Sequence, residues 1–145
     1  MVITFTTILL GLAALIYPLR RNRFFLMNSA VIIGIAYFLE SYYFRTSVFS
    51  YKTMLLFVVF QIISINITTF LAYGFDKRAA QRRAWRVPER DLHLLEFLGG
   101  WVGAYLGQKF FNHKTVKKSY QAMYKLMIVM EFAAVYCILK FLKLI

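Results

Sequence analysis

With 145 residues, 61% of them hydrophobic and 17% charged, and a mean hydropathy of +0.61, the sequence is too apolar for a disordered chain or an ordinary water-soluble globule. A soluble domain of about 150 residues leaves about a third of its surface in water and must cover it with polar groups. Eighteen Lys and Arg against six Asp and Glu give a net charge of +12, which points to anionic lipid headgroups or another polyanion at a membrane surface, and the lone Cys137 excludes an internal disulfide and a CxxC metal or redox site.

Residues 2–19 carry no charge; as a helix they extend about 27 Å, close to the thickness of the hydrocarbon core. Arg20, Arg21 and Arg23 follow this run rather than precede it, a pattern of a span and not of a cleaved signal peptide. Residues 24–44 form a second predicted span with Glu40 near its far end, joined to the first by a tight basic hairpin after Pro18. Residues 53–75 form a third, free of charge, on which Gln61, Ser64 and Thr68 make a mild polar stripe with Asn66 opposite. Such a stripe suits interhelical hydrogen bonding at least as well as a conduction path. Residues 120–142 form the fourth, with Lys125 and Lys140 near enough to its ends to snorkel. Glu131 sits near its centre, where a charge costs about 2.5 to 3.5 kcal/mol. It therefore requires protonation, a hydrogen bond or a partner, and His93 and the basic segments are the available partners.

Residues 92–111 are apolar but interrupted by His93, Glu96 and the glycines at 99, 100, 103 and 107, so hydropathy does not decide whether they cross. If they cross, the basic residues divide 11 to 7 between the two faces; if they dip in and return, the division is 14 to 4. The positive-inside rule prefers the second. The expected fold is an all-α integral membrane protein with four transmembrane helices plus one re-entrant or interfacial glycine-rich helix. Residues 20–23 and 76–125 then face the cytoplasm, and both termini lie outside it. Residues 1–70 hold the first two spans and most of the third, 71–132 the polar motifs, and 133–145 the end of the last span.

Residues 76–86 read as a helical extension of the third run or as a short surface helix. Arg78, Arg82 and Arg86 at i, i+4 and i+8 share one stripe, with Trp85 placed as an interfacial anchor. Snorkelling stop-transfer charge explains this segment; so does a grip on phosphate, whose oxygens match the arginine fork. Pro88 with Glu89 and Asp91 marks a helix start. From there Glu89, His93, Glu96, Gly100, Gly103 and Gly107 fall on one helical face, and Gly99, Gly103 and Gly107 form GxxxGxxxG, which lets another backbone approach closely. The Gly99-Gly100 pair also suits a bend. Glu89, His93 and Glu96 alone do not complete a metal site; for Glu131 a structural pair with His93 or a basic residue is preferred to metal ligation, and no cofactor is expected. Lys109, His113, Lys114, Lys117 and Lys118 make a second basic patch hemmed by aromatics.

Four motifs, Tyr73-Gly74-Phe75-Asp76-Lys77, Arg86-Val87-Pro88-Glu89, Leu98-Gly99-Gly100-Trp101-Val102-Gly103-Ala104 and His113-Lys114-Thr115-Val116-Lys117-Lys118-Ser119-Tyr120, resemble in order and spacing a family of small bacterial membrane proteins called domain of unknown function 1294. The resemblance covers residues 71–132 and departs mildly at Tyr120, where Phe is commoner. It implies a bacterial inner-membrane location and functional positions at Asp76, Lys77, Arg86, Glu89, His113, Lys114 and Lys118, without roles. Some members carry a cold-shock domain, which implies nucleic acid as a candidate partner; this sequence opens on an apolar run instead.

The leading expectation is a non-enzymatic membrane protein whose basic face binds an anionic partner through Lys77, Arg78, Arg82, Arg86, His113, Lys114, Lys117 and Lys118. Anionic membrane lipid is favoured over nucleic acid because no stacking platforms line a groove. Two alternatives are a small transporter or channel using Glu131, His93 and Glu96, and a membrane enzyme acting on a phosphorylated lipid with His113 or Glu89 as acid or base. The oligomeric state and any membrane-protein partner are left open. Cysteines introduced at positions 83 and 117 are expected to react with an impermeant thiol reagent from the same face of sealed vesicles; reaction from opposite faces would refute the topology.

Overall fold

The computed structural model describes residues 10–13, 15–16, 21–42 and 51–145; most of the first predicted span lies outside them. Within the described residues the chain is all-helical. In chain order the helices are α1 (Arg23–Tyr42), α2 (Tyr51–Gln81), α3 (Glu89–Leu95), a single π-helical turn (Glu96–Gly100), α4 (Trp101–Phe111) and α5 (Lys118–Phe141). The chain divides into two compact units, Met1–Thr68 and Thr69–Ile145.

In the first unit, the buried Asn22 caps α1, its Oδ1 accepting the backbone N–H groups of Phe24 and Phe25 at 3.1 and 3.2 Å. Phe25, Ile32 and Ala36 on α1 and Ile65 on α2 are buried. On the α2 stripe, Ser64 Oγ donates to Asn28 Oδ1 at 2.5 Å and Thr68 Oγ1 to the same atom at 3.4 Å. These are interhelical hydrogen bonds of the kind that tie helices together where water is scarce. Asn66, on the other side, bonds back to the Ile62 carbonyl.

Two stretches, Val58–Gln81 and Lys118–Phe141, are long and apolar enough to cross a membrane. Four spans are therefore not seen: the predicted second span appears as α1, whose apolar part, Arg23–Phe38, is shorter, and the first falls mostly on residues that are not described. The third and fourth predicted runs coincide with α2 and α5. Residues 76–81 do extend the third run, and α2 reaches 31 residues, about 46 Å. The helix stops before Arg86, however. Arg83 takes a left-handed φ of 52°, and residues 84–88 are not helical, so Arg86 is not on the stripe with Arg78 and Arg82.

In the second unit, residues 89–111 fold back on themselves. Gly99 takes φ 108°, a conformation that a Cβ-bearing residue rarely adopts, and here the helix reverses. Each arm is about 15 Å long. The start of α3 meets the turn after α4: Lys117 Nζ lies 2.8 Å from Glu89 Oε1. Asn112 ends α4 with φ 51°, and the His113 N–H closes on the Gln108 carbonyl. Both ends of the folded-back segment thus lie at the Asp76 end of α2.

Glycines let the arms come this close. A Cβ on Gly107 would stand 2.9 Å from Tyr73 Cβ, and one on Gly100 would stand 2.1 Å from Thr69 Oγ1, whereas Gly34 in α1 has open space. Gly107→Ala is accordingly expected to destabilise by about 1–3 kcal/mol, and Gly34→Ala to stabilise by up to about 1 kcal/mol. Thermal unfolding midpoints in detergent should move in opposite directions; a shift of the same sign in both would refute the close approach.

Candidate functional site

Two carboxylates, both fully buried, organise the second unit: Asp76 on the last turns of α2 and Glu96 at the bend between α3 and α4. An uncompensated charge withdrawn from water costs several kcal/mol, so each must be surrounded by donors.

Asp76 collects three cationic or cation-capable groups. Arg86 Nε and Nη2 approach its two oxygens at 3.2 and 3.1 Å, a two-pronged contact. His113 Nε2 lies 2.6 Å from Oδ2, and Lys114 Nζ 3.4 Å from the same atom. Lys114 also reaches Glu89 Oε1 at 3.5 Å, and Lys117 holds both oxygens of Glu89 at 2.8 and 3.1 Å. The Lys117 ammonium keeps the Glu89 carboxyl below its usual range, with Lys114 adding to the effect. Glu89 thus contributes stability that is fully present above the ordinary carboxylate range and is lost as pH falls from that range through its lowered pKa. Lys114 is nearly enclosed and lies 4.7 Å from the Tyr120 ring centroid, a cation–π contact.

Glu96 is held by neutral donors and one histidine. The Tyr73 hydroxyl donates to Oε1, and the Tyr120 hydroxyl reaches the same oxygen at 3.0 Å. His93 Nδ1 lies 2.6 Å from Oε2, one helical turn back on α3. Gln108 Nε2 donates to the Tyr73 hydroxyl at 3.3 Å, and Gln121 Nε2 donates to Gln108 Oε1 at 2.6 Å and to the Lys114 carbonyl at 2.9 Å. Tyr124 donates to the Trp101 carbonyl. The His93 and Tyr120 rings lie 4.3 Å apart, and Tyr73 meets Tyr120 edge-on. Tyr120 therefore sits between the centres, its hydroxyl on Glu96 and its ring beneath Lys114.

Asp76, Arg86, Glu89, His113, Lys114 and Lys117 are thus brought together, as are His93 and Glu96. Glu89 and His93, one turn apart, serve different carboxylate centres, and among the described residues no three Asp, Glu, His or Cys side chains gather as a metal site would require. Glu131 is not part of either cluster: its Oε2 is buried without a hydrogen-bond partner among the described residues, and one of its candidate partners, His93, is taken by Glu96. Lys77, Arg78, Arg82 and Lys118 make no ion pair among the described residues, and the last three are exposed. Arg78 borders a small apolar cavity of about 210 Å³ with Leu71, Gly74, Phe75 and Phe111. Tyr73, Gln108, Tyr120, Gln121 and Tyr124 were missed as site residues.

The family model described as protein of unknown function (DUF1294) matches residues 66–120, which hold both carboxylate centres. The uncharacterized protein YsdA of Bacillus subtilis (strain 168) is 37% identical over 70 residues, 48% of this chain and 79% of that protein. The chain belongs to the DUF1294 family. No solved structure is a significant match. The matched segment begins in α2 and ends at Tyr120, so the family's sequence pattern coincides with the polar core and leaves α1 and most of α5 outside it.

Asp76→Asn should destabilise by about 3–5 kcal/mol, because it strands the nearly enclosed Lys114 and His113. Arg86→Gln should cost about 1 kcal/mol or less, since that side chain is 51% exposed and screened. Denaturation of the two variants in detergent checks the ranking, and equal losses would refute the central place given to Asp76.

Proposed function

We propose that this protein is a small multi-pass protein of the bacterial inner membrane whose basic face holds an anionic, phosphate-bearing lipid. Membrane residence is supported by α5, where Val129, Phe132, Val135, Tyr136, Ile138 and Phe141 are all exposed; a water-soluble monomer rarely leaves so continuous an apolar surface uncovered. In this reading α2 and α5 span the bilayer, and residues 2–19 and 24–44 supply the other two spans. The folded-back segment 89–111 is re-entrant. Its arms of about 15 Å reach half-way through a hydrocarbon core about 30 Å thick, and the Glu89–Lys117 contact keeps both of its ends at one level.

The observation that carries the lipid reading is the division of labour among the cations. Arg86, His113, Lys114 and Lys117 are engaged by Asp76 and Glu89, while Arg78, Arg82 and Lys118 stay exposed and unpaired among the described residues, beside apolar helix surface. Arg78, bordering its apolar cavity, offers a phosphate-binding fork next to room for hydrocarbon. The free cations and the outer parts of Arg86 and Lys117 form the binding face, and the paired ones give it shape. The match between a basic surface and an anionic leaflet needs no reaction, so the reading is of a binding protein rather than an enzyme.

Near an anionic leaflet each basic residue contributes about 1 kcal/mol. Joint replacement of Arg78, Arg82 and Lys118 by alanine should therefore lower affinity for phosphatidylglycerol by on the order of a hundredfold. It should also flatten the salt dependence, with the unfolding midpoint little changed. Titration of detergent-solubilised protein with phosphatidylglycerol against phosphatidylcholine measures this, and undiminished binding by the triple variant would overturn the proposal.

A further inference from the structure

A second concave feature lies on the other side of the Glu96 centre. Arg90, His93, Leu94 and Phe97 on α3 and its continuation face Met123, Met127 and Met130 on α5 across an open groove of about 390 Å³. Both sets follow the one-turn spacing that places side chains on a single helical face. Because Tyr120 near the start of α5 packs against His93 on α3, the two helices descend together from the Glu89–Lys117 level. Polarity falls along that descent, from Arg90 and His93 at the upper end to Phe97 and Met130 at the lower.

His93 is oriented by its neighbours. Glu96 holds Nδ1 at 2.6 Å and the Tyr120 ring lies against the imidazole, while Nε2 has no hydrogen-bond partner among the described residues. In its doubly protonated form both ring nitrogens donate, so one ring can bridge Glu96 and an acidic head group. Arg90 is 56% exposed and meets Asp91 only at 3.7 Å. A cation beside an open imidazole, above a floor of methionine, leucine and phenylalanine, complements a molecule with an anionic head and an apolar tail. Methionine is flexible enough to line such a tail without demanding one shape.

We infer that this groove is a binding site for a single-chain anionic amphiphile, whose head lies at Arg90 and His93 and whose hydrocarbon chain runs along Leu94 and Met127 toward Phe97 and Met130. Size favours one chain. The groove is at the small end of ligand sites, about 300 to 1,000 Å³, whereas one turn of a helix about 10 Å across fills on the order of 420 Å³ by itself. The site shares no residue with the basic face around Arg78, so either can fail without the other.

The test is native mass spectrometry of the full chain in detergent, titrated with oleate, with oleoyl lysophosphatidate and, as a neutral control, with oleyl alcohol. The wild type should take up one equivalent of an acidic ligand saturably, and the tighter of the two identifies carboxylate or phosphate as the head. Arg90→Gln should weaken that binding at least tenfold. His93→Asn, whose amide can still donate to Glu96 while Nε2 is removed, should also weaken it. Met127→Trp should abolish it by filling the floor, with an unchanged unfolding midpoint; should that variant not fold, Met130→Phe serves the same purpose. Equal uptake by wild type and the filled variant, equal binding of the alcohol, or a two-chain phospholipid displaced by Met127→Trp would each overturn the assignment.

Discussion

The buried carboxylate of Asp76 is the constraint from which the second unit is built. It is fully withdrawn from solvent, so its charge must be met by groups the chain brings to it. Those groups come from two places far apart in sequence, Arg86 in the linker after α2 and His113 with Lys114 in the turn after α4. Drawing them to one point pins the linker and the turn to the same end of α2. Lys114 and Lys117 then reach Glu89, which brings the start of α3 to the same place. The reversal at Gly99 follows: a segment whose two ends are held together has to turn round in the middle.

Much of this was legible in the sequence. The apolar runs gave α2 and α5 because a predominantly apolar stretch of more than 20 residues has few alternatives. The glycine spacing and the Gly99-Gly100 pair marked where backbones approach and where a helix bends. What periodicity misplaced was Arg86, since the i, i+4, i+8 pattern knows nothing of a carboxylate ten residues earlier that competes for the guanidinium. Glu131 was expected to be protonated, hydrogen-bonded or paired, and of its candidate partners His93 is committed to Glu96.

The tyrosines were harder to see. In an apolar sequence with ten of them, nothing local separates Tyr73 and Tyr120, whose hydroxyls serve Glu96, from those that simply fill space. Their role depends on a three-dimensional meeting of α2, the bend and α5, and no window along a single chain contains that meeting. Tyr120 also couples the two centres, touching Glu96 with its oxygen and Lys114 with its ring. Polar groups linked in this way stiffen a core because none can leave without stranding another.

The arm from Glu89 to Glu96 spans seven residue steps, two helical turns, and so presents both acids on one side while separating them by about 10 Å. Adding or deleting a single residue between them would rotate everything beyond by about 100°, swinging Glu96 out of reach of Tyr73 and Tyr120 while Glu89 stayed with Lys117. Point substitutions in this arm are local events, but a one-residue insertion is global. Length itself, more than the identity of the intervening side chains, is what this stretch of the chain has least freedom to vary.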